Sequence, residues 1–256
     1  QNSRLYQFII YCMKLKIRCL LPVFLLLFTC SGRSQQVHSF WLNGTAGLNS
    51  VWILNQNAYG NAEMPYATTF GLTGGLGASY FMSREWGFNG SILLSKLGQN
   101  YKGEQSGAIA DRKLKLNYLE MPLMIMRQIP YMNYPTWISA GPDIRYLVKA
   151  TQDYTREDGG NPLQNEEGMM DGDVTDRFKQ FEIAINFSIS RMVELNYSRS
   201  VMFLFSIDSS FGLTDINDAD WQIANTHGDY AGSHNFYIGV KAGLMFKAAR
   251  FGGRRW

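Results

Sequence analysis

Apolar and polar residues alternate with a period of two along eight segments of the chain. This period places successive side chains on opposite faces of a β-strand, and here one face is apolar while the other is small, polar or charged. The segments reach the roughly 9–11 residues that a tilted strand needs to cross a bilayer. The predicted strands are Ser39–Trp52, Ala67–Met82, Glu85–Leu97, Arg112–Gln128, Thr136–Thr151, Arg177–Ser190, Met192–Phe205 and His234–Phe246.

The connections between these segments alternate between long and short. The long ones are 55–66, 98–111, 152–176 and 206–233, and the short ones are 83–84, 129–135 and 190–191. An even number of strands joined in this way is typical of outer-membrane barrels, which have short periplasmic turns and long outer loops. The sequence therefore predicts an all-β fold, an eight-stranded antiparallel up-and-down transmembrane β-barrel with both termini in the periplasm. The alternative is a soluble barrel, whose apolar face would point inward.

Aromatic and proline residues add two expectations about the strands. Aromatic residues near the predicted periplasmic ends suggest an interfacial girdle. Pro122 and Pro142 lie inside strands, where proline removes a ladder donor, so a local bulge is expected near each. The aromatic residues of the predicted girdle are Phe40, Trp41, Tyr80, Phe81, Trp86, Phe88, Tyr131, Tyr134, Trp137 and Phe246.

The N-terminal 34 residues differ from the rest of the chain. A positive segment that follows Met13, the predicted start, precedes a short apolar run at 19–28 and small residues at 32–34. This order predicts a signal peptide that is removed on export. The alternatives are an uncleaved anchor and a lipoprotein modified at Cys30, which the preceding Thr29 disfavours. The predicted organisation is segment 1–34, barrel 35–246 and a basic tail 247–256.

Removal of this segment changes the chemistry available to the protein. All three cysteines, Cys12, Cys19 and Cys30, leave with it, so disulfides, thiolate zinc sites and cysteine nucleophiles are excluded from the mature chain. Five of the 24 basic residues and none of the 21 acidic ones also leave, so 19 basic and 21 acidic residues remain, a net charge of −2. The basic character of the full sequence therefore does not predict nucleic-acid binding.

Seven charged side chains are predicted to face the lumen. A barrel of eight strands is filled by its side chains, and an isolated buried charge costs several kcal/mol, so we expect an ion-pair network that plugs the lumen. The alternative is a proton or ion path. Glu120 and Arg145 should lie at similar depth on strands four and five, and removing one of them should destabilise the barrel by about 3–5 kcal/mol. The predicted network comprises Glu120, Asp143, Arg145, Lys149, Glu182, Glu194 and Lys241.

Enzymatic chemistry has little support in the sequence. His227, Asp229 and Ser233 are close together on the last long loop, but polar residues in such a loop are usually only solvated. The acidic stretch 171–176 lacks the closing glutamate of a calcium-binding EF-hand loop. The sequence therefore predicts no catalytic, cofactor-binding or metal site.

One motif resembles a known family. Tyr118-Leu119-Glu120-Met121-Pro122-Leu123 on the fourth strand, followed by Ala140-Gly141-Pro142 on the fifth, is similar to the PorT-type outer-membrane β-barrel family of Bacteroidota. The resemblance spans about Phe40 to Phe246. The chain departs from the usual pattern because 247–256 follows Phe246, although Trp256 could supply the terminal aromatic.

The resemblance implies a barrel in the bacterial outer membrane that contacts its lipid and needs no cofactor. The founding member of the family is tied to type IX protein secretion, so the implied function is a structural or interaction component of the cell envelope. Loops 152–176 and 206–233 would contact other envelope proteins. The alternatives are a porin-like channel for small solutes and an enzyme located at the barrel rim.

Overall fold

Eight long antiparallel strands form a closed barrel. The computed structural model describes residues 37–105, 107–130, 135–165, 169–224 and 228–251, so the predicted signal peptide and Trp256 lie outside the described residues. Each strand pairs with its neighbours in the chain, and the last pairs with the first. The strands are β1 (Ser39–Leu54), β2 (Phe70–Phe81), β3 (Trp86–Gln105), β4 (Ala108–Gln128), β5 (Thr136–Asp158), β6 (Phe181–Glu194), β7 (Val201–Gly212) and β8 (His234–Arg250).

The apolar face of the alternation points outward. Leu76 and Leu94 on the outer wall are 73% and 66% exposed, whereas Asn49, Gln99 and Asn235 in the lumen are fully buried. A soluble barrel would need the reverse arrangement, so the structure confirms the membrane-barrel prediction. In the part of the chain that the structure describes, no helix has the length and apolar character to cross a membrane.

The strands β3 and β4 are much longer than the sequence predicted. Residues 98–111 were predicted to be a long loop, but they belong to a hairpin whose strands pair from Trp86↔Arg127 to Gln105↔Ala108. The alternation continues through this stretch, because Tyr101 and Arg112 point inward while Lys102 and Lys113 point outward. The outward side chains here are charged because this part of the wall faces water, and so they resemble a loop.

The turn between β6 and β7 also differs from the prediction. Ser190 and Arg191 are paired strand residues, and the turn lies at 195–200 instead. Asn196 closes this turn, since its side-chain oxygen accepts hydrogen bonds from the backbone N–H groups of Ser200 and Val201. A polar pair inside a strand was mistaken for a turn because one of its members faces the lumen.

Neither proline produces a bulge, so that expectation was wrong. The β4–β5 register is the same on both sides of Pro122, and the β5–β6 register is unbroken through Pro142. The β4–β5 ladder shifts instead between Asn117 and Tyr118, where Val148 is the extra residue on β5. The shift carries the next residue, Lys149, out of the lumen, and its side chain is 55% exposed.

We call the end of the barrel that carries the β2–β3, β4–β5 and β6–β7 turns the turn end, and the opposite end the loop end. The aromatic residues at the turn end do not all belong to a girdle. Trp86, Phe88 and Phe246 are exposed on the outer wall, whereas Trp41, Phe81 and Trp137 are buried in the lumen. Tyr131 and Tyr134 lie outside the described residues. At the opposite end, aromatic residues pair on the outer wall: Tyr146 with Phe181 at 5.3 Å and Trp52 with Phe236 at 5.5 Å between ring centroids.

Three strands extend far beyond the height of a bilayer. β3, β4 and β5 have 20, 21 and 23 residues, whereas β2 and β7 have 12 each. A crossing needs about 10 residues, so the sheet of β3–β5 projects beyond the membrane at the loop end. The connections before β2, after β5 and after β7 pack against it, and we call this assembly the cap. Its buried apolar core comprises Ala58, Tyr59, Met64, Tyr101, Ala110, Tyr154 and Met169, with Trp221 packed against it.

Gly141 tests the close approach of β5 to β4. A Cβ atom at this position would overlap the backbone carbonyl of Leu123, which cannot move without breaking the ladder. We expect Gly141→Ala to destabilise the barrel by about 1–3 kcal/mol, the range for overpacking. Gly44→Ala is the matched control, because its nearest neighbour would be Leu76 Cδ2 at 3.5 Å. Urea unfolding in lipid vesicles measures both, and equal stabilities of the two variants would contradict the prediction.

Candidate functional site in the lumen

Arg145 is the centre of a buried charge cluster at mid-height in the lumen. Its Nε lies 2.9 Å from Asp143 Oδ2 and 3.3 Å from Glu120 Oε1, and its Nη1 lies 3.3 Å from Glu182 Oε1. Glu120 and Arg145 are direct cross-strand partners on β4 and β5, and Glu182 pairs with Arg145 from β6. All four side chains are at most 1% exposed. Three carboxylates therefore share one guanidinium group out of contact with solvent.

Neutral polar side chains support part of this cluster. Asn235 Nδ2 donates to Glu182 Oε2 at 2.8 Å and contacts the Tyr118 hydroxyl, and Arg145 Nη2 donates to Ser210. Asn186 Nδ2 donates to Asp143 at 3.4 Å. Glu120 differs, because neither of its carboxylate oxygens has a hydrogen-bond partner among the described residues. Glu120 is thus the most weakly held of the three carboxylates.

Two of the predicted network residues lie elsewhere. Lys149 is on the outer surface, where its Nζ is 3.8 Å from Asp173 on the cap. Glu194 lies at the turn end of β6, where Arg199 Nε contacts it at 3.2 Å. The first is displaced by the bulge in the β4–β5 ladder, and the second by the true position of the β6–β7 turn. Lys149 therefore does not neutralise the excess negative charge of the cluster, and Glu194 does not add to it.

Lys241 remains in the lumen, with a partner that the sequence analysis missed. Its Nζ lies 4.0 Å from Asp208 Oδ2, and the two side chains are 11% and 14% exposed. Ser206 donates to the same carboxylate oxygen at 2.7 Å. Asp208 was placed in a loop because β7 was predicted to end at Phe205. Alternation continued for three more residues would have placed it in the lumen.

A small polar chamber lies on the turn side of the charge cluster. Its volume is about 80 Å³, enough for several water molecules. Within it, Ser79 Oγ accepts from Asn89 Nδ2 at 2.9 Å and from Asn43 Nδ2 at 3.3 Å. Its polar lining comprises Asn43, Thr45, Ser79, Asn89, Ser91, Ser139, Asn186, Ser188, Ser190, Ser206, Asp208 and Lys241.

Apolar layers close the lumen on both sides of the polar region. The layer at the turn end includes Phe81 and Trp137, whose ring centroids are 5.2 Å apart. The layer at the loop end lies between the charge cluster and the cap. The turn-end layer comprises Trp41, Phe81, Met126, Trp137, Met192, Met202 and Met245. The loop-end layer comprises Val51, Ile53, Leu97, Leu114, Leu116, Tyr118, Leu147, Ala150, Val174, Phe178, Ile216 and Tyr237.

The residues considered for rim catalysis do not form a described site. His227 lies outside the described residues. Ser233 is buried, donating to the Asn55 carbonyl at 2.6 Å and accepting from Asn217 at 2.8 Å, so its hydroxyl joins two loops. Asp229 is exposed on the same connection. Within the described residues, no group of three or more His, Cys, Asp or Glu side chains could hold a metal ion.

Hydrogen bonds within the acidic loop and within the last connection stabilise these two parts of the cap. Asp173 accepts from the Thr175 hydroxyl at 2.6 Å and from its N–H at 3.0 Å, and these bonds lower the pKa of Asp173. Tyr230 donates to Asp215 at 2.7 Å, and burial together with this hydrogen bond raises the pKa of the Tyr230 phenol. These residues have a structural role.

Two buried arginines hold the cap together. The Arg177 guanidinium lies 4.3 Å from the Trp221 ring centroid and 4.9 Å from that of Tyr59. Arg112 donates to Gln152 Oε1 at 2.8 Å and to the Asn57 carbonyl at 2.9 Å. These contacts join β4, β5 and three loop segments, so the cap is a folded unit rather than a set of independent loops.

Comparison with known proteins gives one match to a family and several to structures. A family model described as outer membrane protein beta-barrel domain matches residues 33–218. None of the curated proteins matches the chain. OprG from Pseudomonas aeruginosa is 12% identical with a TM-score of 0.39, and the alignment covers 84% of this chain and 97% of OprG. AlkL is 12% identical with a TM-score of 0.42, at 86% and 97% coverage. Neisserial surface protein A is 10% identical with a TM-score of 0.38, at 81% and 96% coverage.

Proposed function

Because the chain belongs to the outer membrane protein beta-barrel domain family, we propose that it is a closed barrel of the bacterial outer membrane that acts through its surface. The observation that carries this proposal is the layered lumen. The Arg145 cluster and the polar chamber lie between two apolar layers, and an eight-stranded barrel has little room beside its side chains. A solute would have to displace both layers and separate a buried ion-pair cluster. The protein therefore acts as a structural or interaction component of the envelope.

The proposed orientation places both termini and the short turns in the periplasm, as in other barrels of this architecture. The cap then lies outside the cell. Residues 152–158 and 206–212 of the two predicted loops belong to β5 and β7. The described parts of the remaining connections, 159–176 and 213–233, pack on one scaffold, which suits the recognition of another envelope protein. The resemblance of the Tyr118–Leu123 motif to PorT suggests a specific form of this role, a subunit of a secretion machine of the type IX kind.

Single-channel recording tests whether the lumen is closed. We expect the purified barrel in planar bilayers to show no steady conductance, because the apolar layers and the charge cluster leave no continuous path. Trp137→Ala combined with Met245→Ala removes large side chains from the turn-end layer only. The loop-end layer and the charge cluster remain in this variant, so it should also show no conductance. A stable, ohmic conductance of the unmodified protein would contradict the proposal.

Two alternatives predict different results. A porin-like channel is favoured by the polar chamber and would give the conductance just described. A rim enzyme would depend on Ser233, whose hydroxyl already bonds both Asn55 and Asn217.

Crosslinking in intact outer membranes followed by purification of the barrel tests the interaction role directly. Capture of the same envelope protein by the native chain, lost when the exposed residues 159–165 that follow β5 are replaced by a short linker, would support it.

A further inference from the structure

The outer wall carries a concave apolar groove across β1 to β4. The groove is shallow and open toward the surrounding lipid, and its floor includes Gly74, Ala78 and Gly90. Ala78 and Gly90 are direct partners on β2 and β3, so two adjacent positions of the wall lack a large side chain. Leucine and isoleucine side chains rise on both sides of this floor. The apolar residues that line the groove are Leu42, Leu76, Ile92, Leu94, Leu119, Met121 and Leu123.

Lysine side chains lie directly beyond the groove on its loop-end side. The outward residues that follow Leu94 and Leu119 toward the loop end are Lys96 and Asn117, which are cross-strand partners. Asn117 also pairs with Lys149 on β5, and Lys115 is the next outward residue on β4. We call Lys96, Lys115 and Lys149 the lysine row. The wall changes at this level from wholly apolar to polar, which marks the membrane boundary on β3–β5.

The lysine row has an excess of positive charge at the boundary. Lys115 pairs with Asp153 at 2.6 Å and Lys149 approaches Asp173 at 3.8 Å, but all four side chains are more than half exposed. Lys96 forms no ion pair with any described residue. Exposed ion pairs contribute little, so these lysines can exchange their carboxylate partners for another anion. Asp153 lies farther from the apolar wall than Lys115, since it pairs with Lys113.

We propose that the groove and the lysine row together bind one phosphorylated, multiply acylated glycolipid of the outer leaflet, of the lipid A class. One acyl chain fills the groove, and a phosphate group contacts the lysine row. The arrangement favours this occupant, because an apolar groove that ends at lysine side chains complements an acyl chain that ends in an anionic headgroup. The assignment to the outer leaflet rests on the proposed orientation with the cap outside, but binding itself does not.

Native mass spectrometry of the purified full-length protein in detergent tests this binding independently of orientation and of partners. The probes are lipid A and the same lipid stripped of both phosphates. The protein should retain lipid A and should lose most of this retention for the dephosphorylated form. A basic residue near a membrane surface strengthens the binding of an anionic lipid by a factor of about five. Lys96→Gln with Lys115→Gln should therefore weaken retention about 25-fold.

Matched variants separate the headgroup and acyl-chain contributions. Lys102→Gln is the control for the lysines, because Lys102 is exposed on the same face of β3 but farther from the boundary. Ala78→Phe fills the groove, and Ala140→Phe adds the same bulk to the exposed wall of β5. We expect Ala78→Phe to weaken lipid A retention at least about fivefold and both controls to leave it unchanged. Thermal unfolding of each variant verifies that it is folded.

Three outcomes would overturn the proposal. The first is equal retention of lipid A and its dephosphorylated form. The second is equal loss in the lysine variant and in Lys102→Gln, and the third is retention of phosphatidylglycerol as strong as that of lipid A. Each of these could occur with a closed, partner-binding barrel, so failure here is distinct from failure of the proposed function.

Discussion

Arg145→Met is expected to destabilise the barrel by about 3–5 kcal/mol, because it leaves three buried carboxylates without their shared cation. Met has a similar length and keeps the lumen filled, so the loss reports charge rather than a cavity. Urea unfolding in lipid vesicles measures the free energy. The three carboxylates lie within 3.3 Å of the guanidinium, and no other cation in the described part of the chain contacts all of them.

The matched variant Glu120→Gln should have a far smaller effect, within about 1 kcal/mol of the unmodified protein. Glu120 has no hydrogen-bond partner in the described structure, and Arg145 keeps Asp143 and Glu182 when the Glu120 charge is removed. This replaces the expectation from sequence that loss of Glu120 alone would be severe. That expectation assumed that loss of Glu120 would leave the Arg145 charge without a partner, whereas Asp143 and Glu182 lie within 3.3 Å of it.

The double variant completes the cycle. Glu120→Gln with Arg145→Met should recover part of the loss caused by Arg145→Met, since fewer charges remain unpaired. Similar losses of stability for Glu120→Gln and Arg145→Met would contradict the prediction that Arg145 is the shared cation of all three carboxylates. Strict additivity in the double variant would show that Glu120 and Arg145 do not interact, despite their 3.3 Å separation.

Leu244→Lys is expected to destabilise the barrel by about 2–4 kcal/mol, the range for a basic residue at the bilayer midplane. Leu244 lies on the outer face of β8 and is 42% exposed in the protein alone, so lipid surrounds it in the membrane. The energy is the cost of placing an ammonium group in hydrocarbon. Folding into vesicles of defined thickness measures it, and a thinner bilayer should reduce it.

Ser188→Lys is the control for Leu244→Lys. Ser188 lines the polar chamber, where the Asp208 carboxylate can receive the new charge. The control should therefore lose clearly less stability than Leu244→Lys. Equal losses at the two positions would mean that the inner and outer faces have been assigned the wrong way round on one of these strands.

The candidate site was only partly predictable. Alternation placed Glu120, Asp143, Arg145, Glu182 and Lys241 on the inner face, and the structure finds them there. It could not show that one guanidinium serves three carboxylates, because a strand pattern gives the face of a residue but not its cross-strand register. Asp208 was missed because the outer part of β7 was taken for a loop. The projecting hairpin of β3 and β4 was missed for the same reason, since its outward residues face water.

The sequence by itself determined that the protein is a barrel with an apolar exterior and a polar interior. Strict alternation is local, so it persists in any register that closes the ring. Only the tertiary structure decided which charges meet and where the lumen is closed. One extra residue, Val148, moves Lys149 from the lumen to the membrane boundary. Alternation already directs Trp41, Phe81 and Trp137 inward, but only the structure shows that they pack together as a lumen layer instead of forming part of a girdle. A shift of one residue reverses the face of every side chain beyond it, and no local pattern specifies where such a shift occurs.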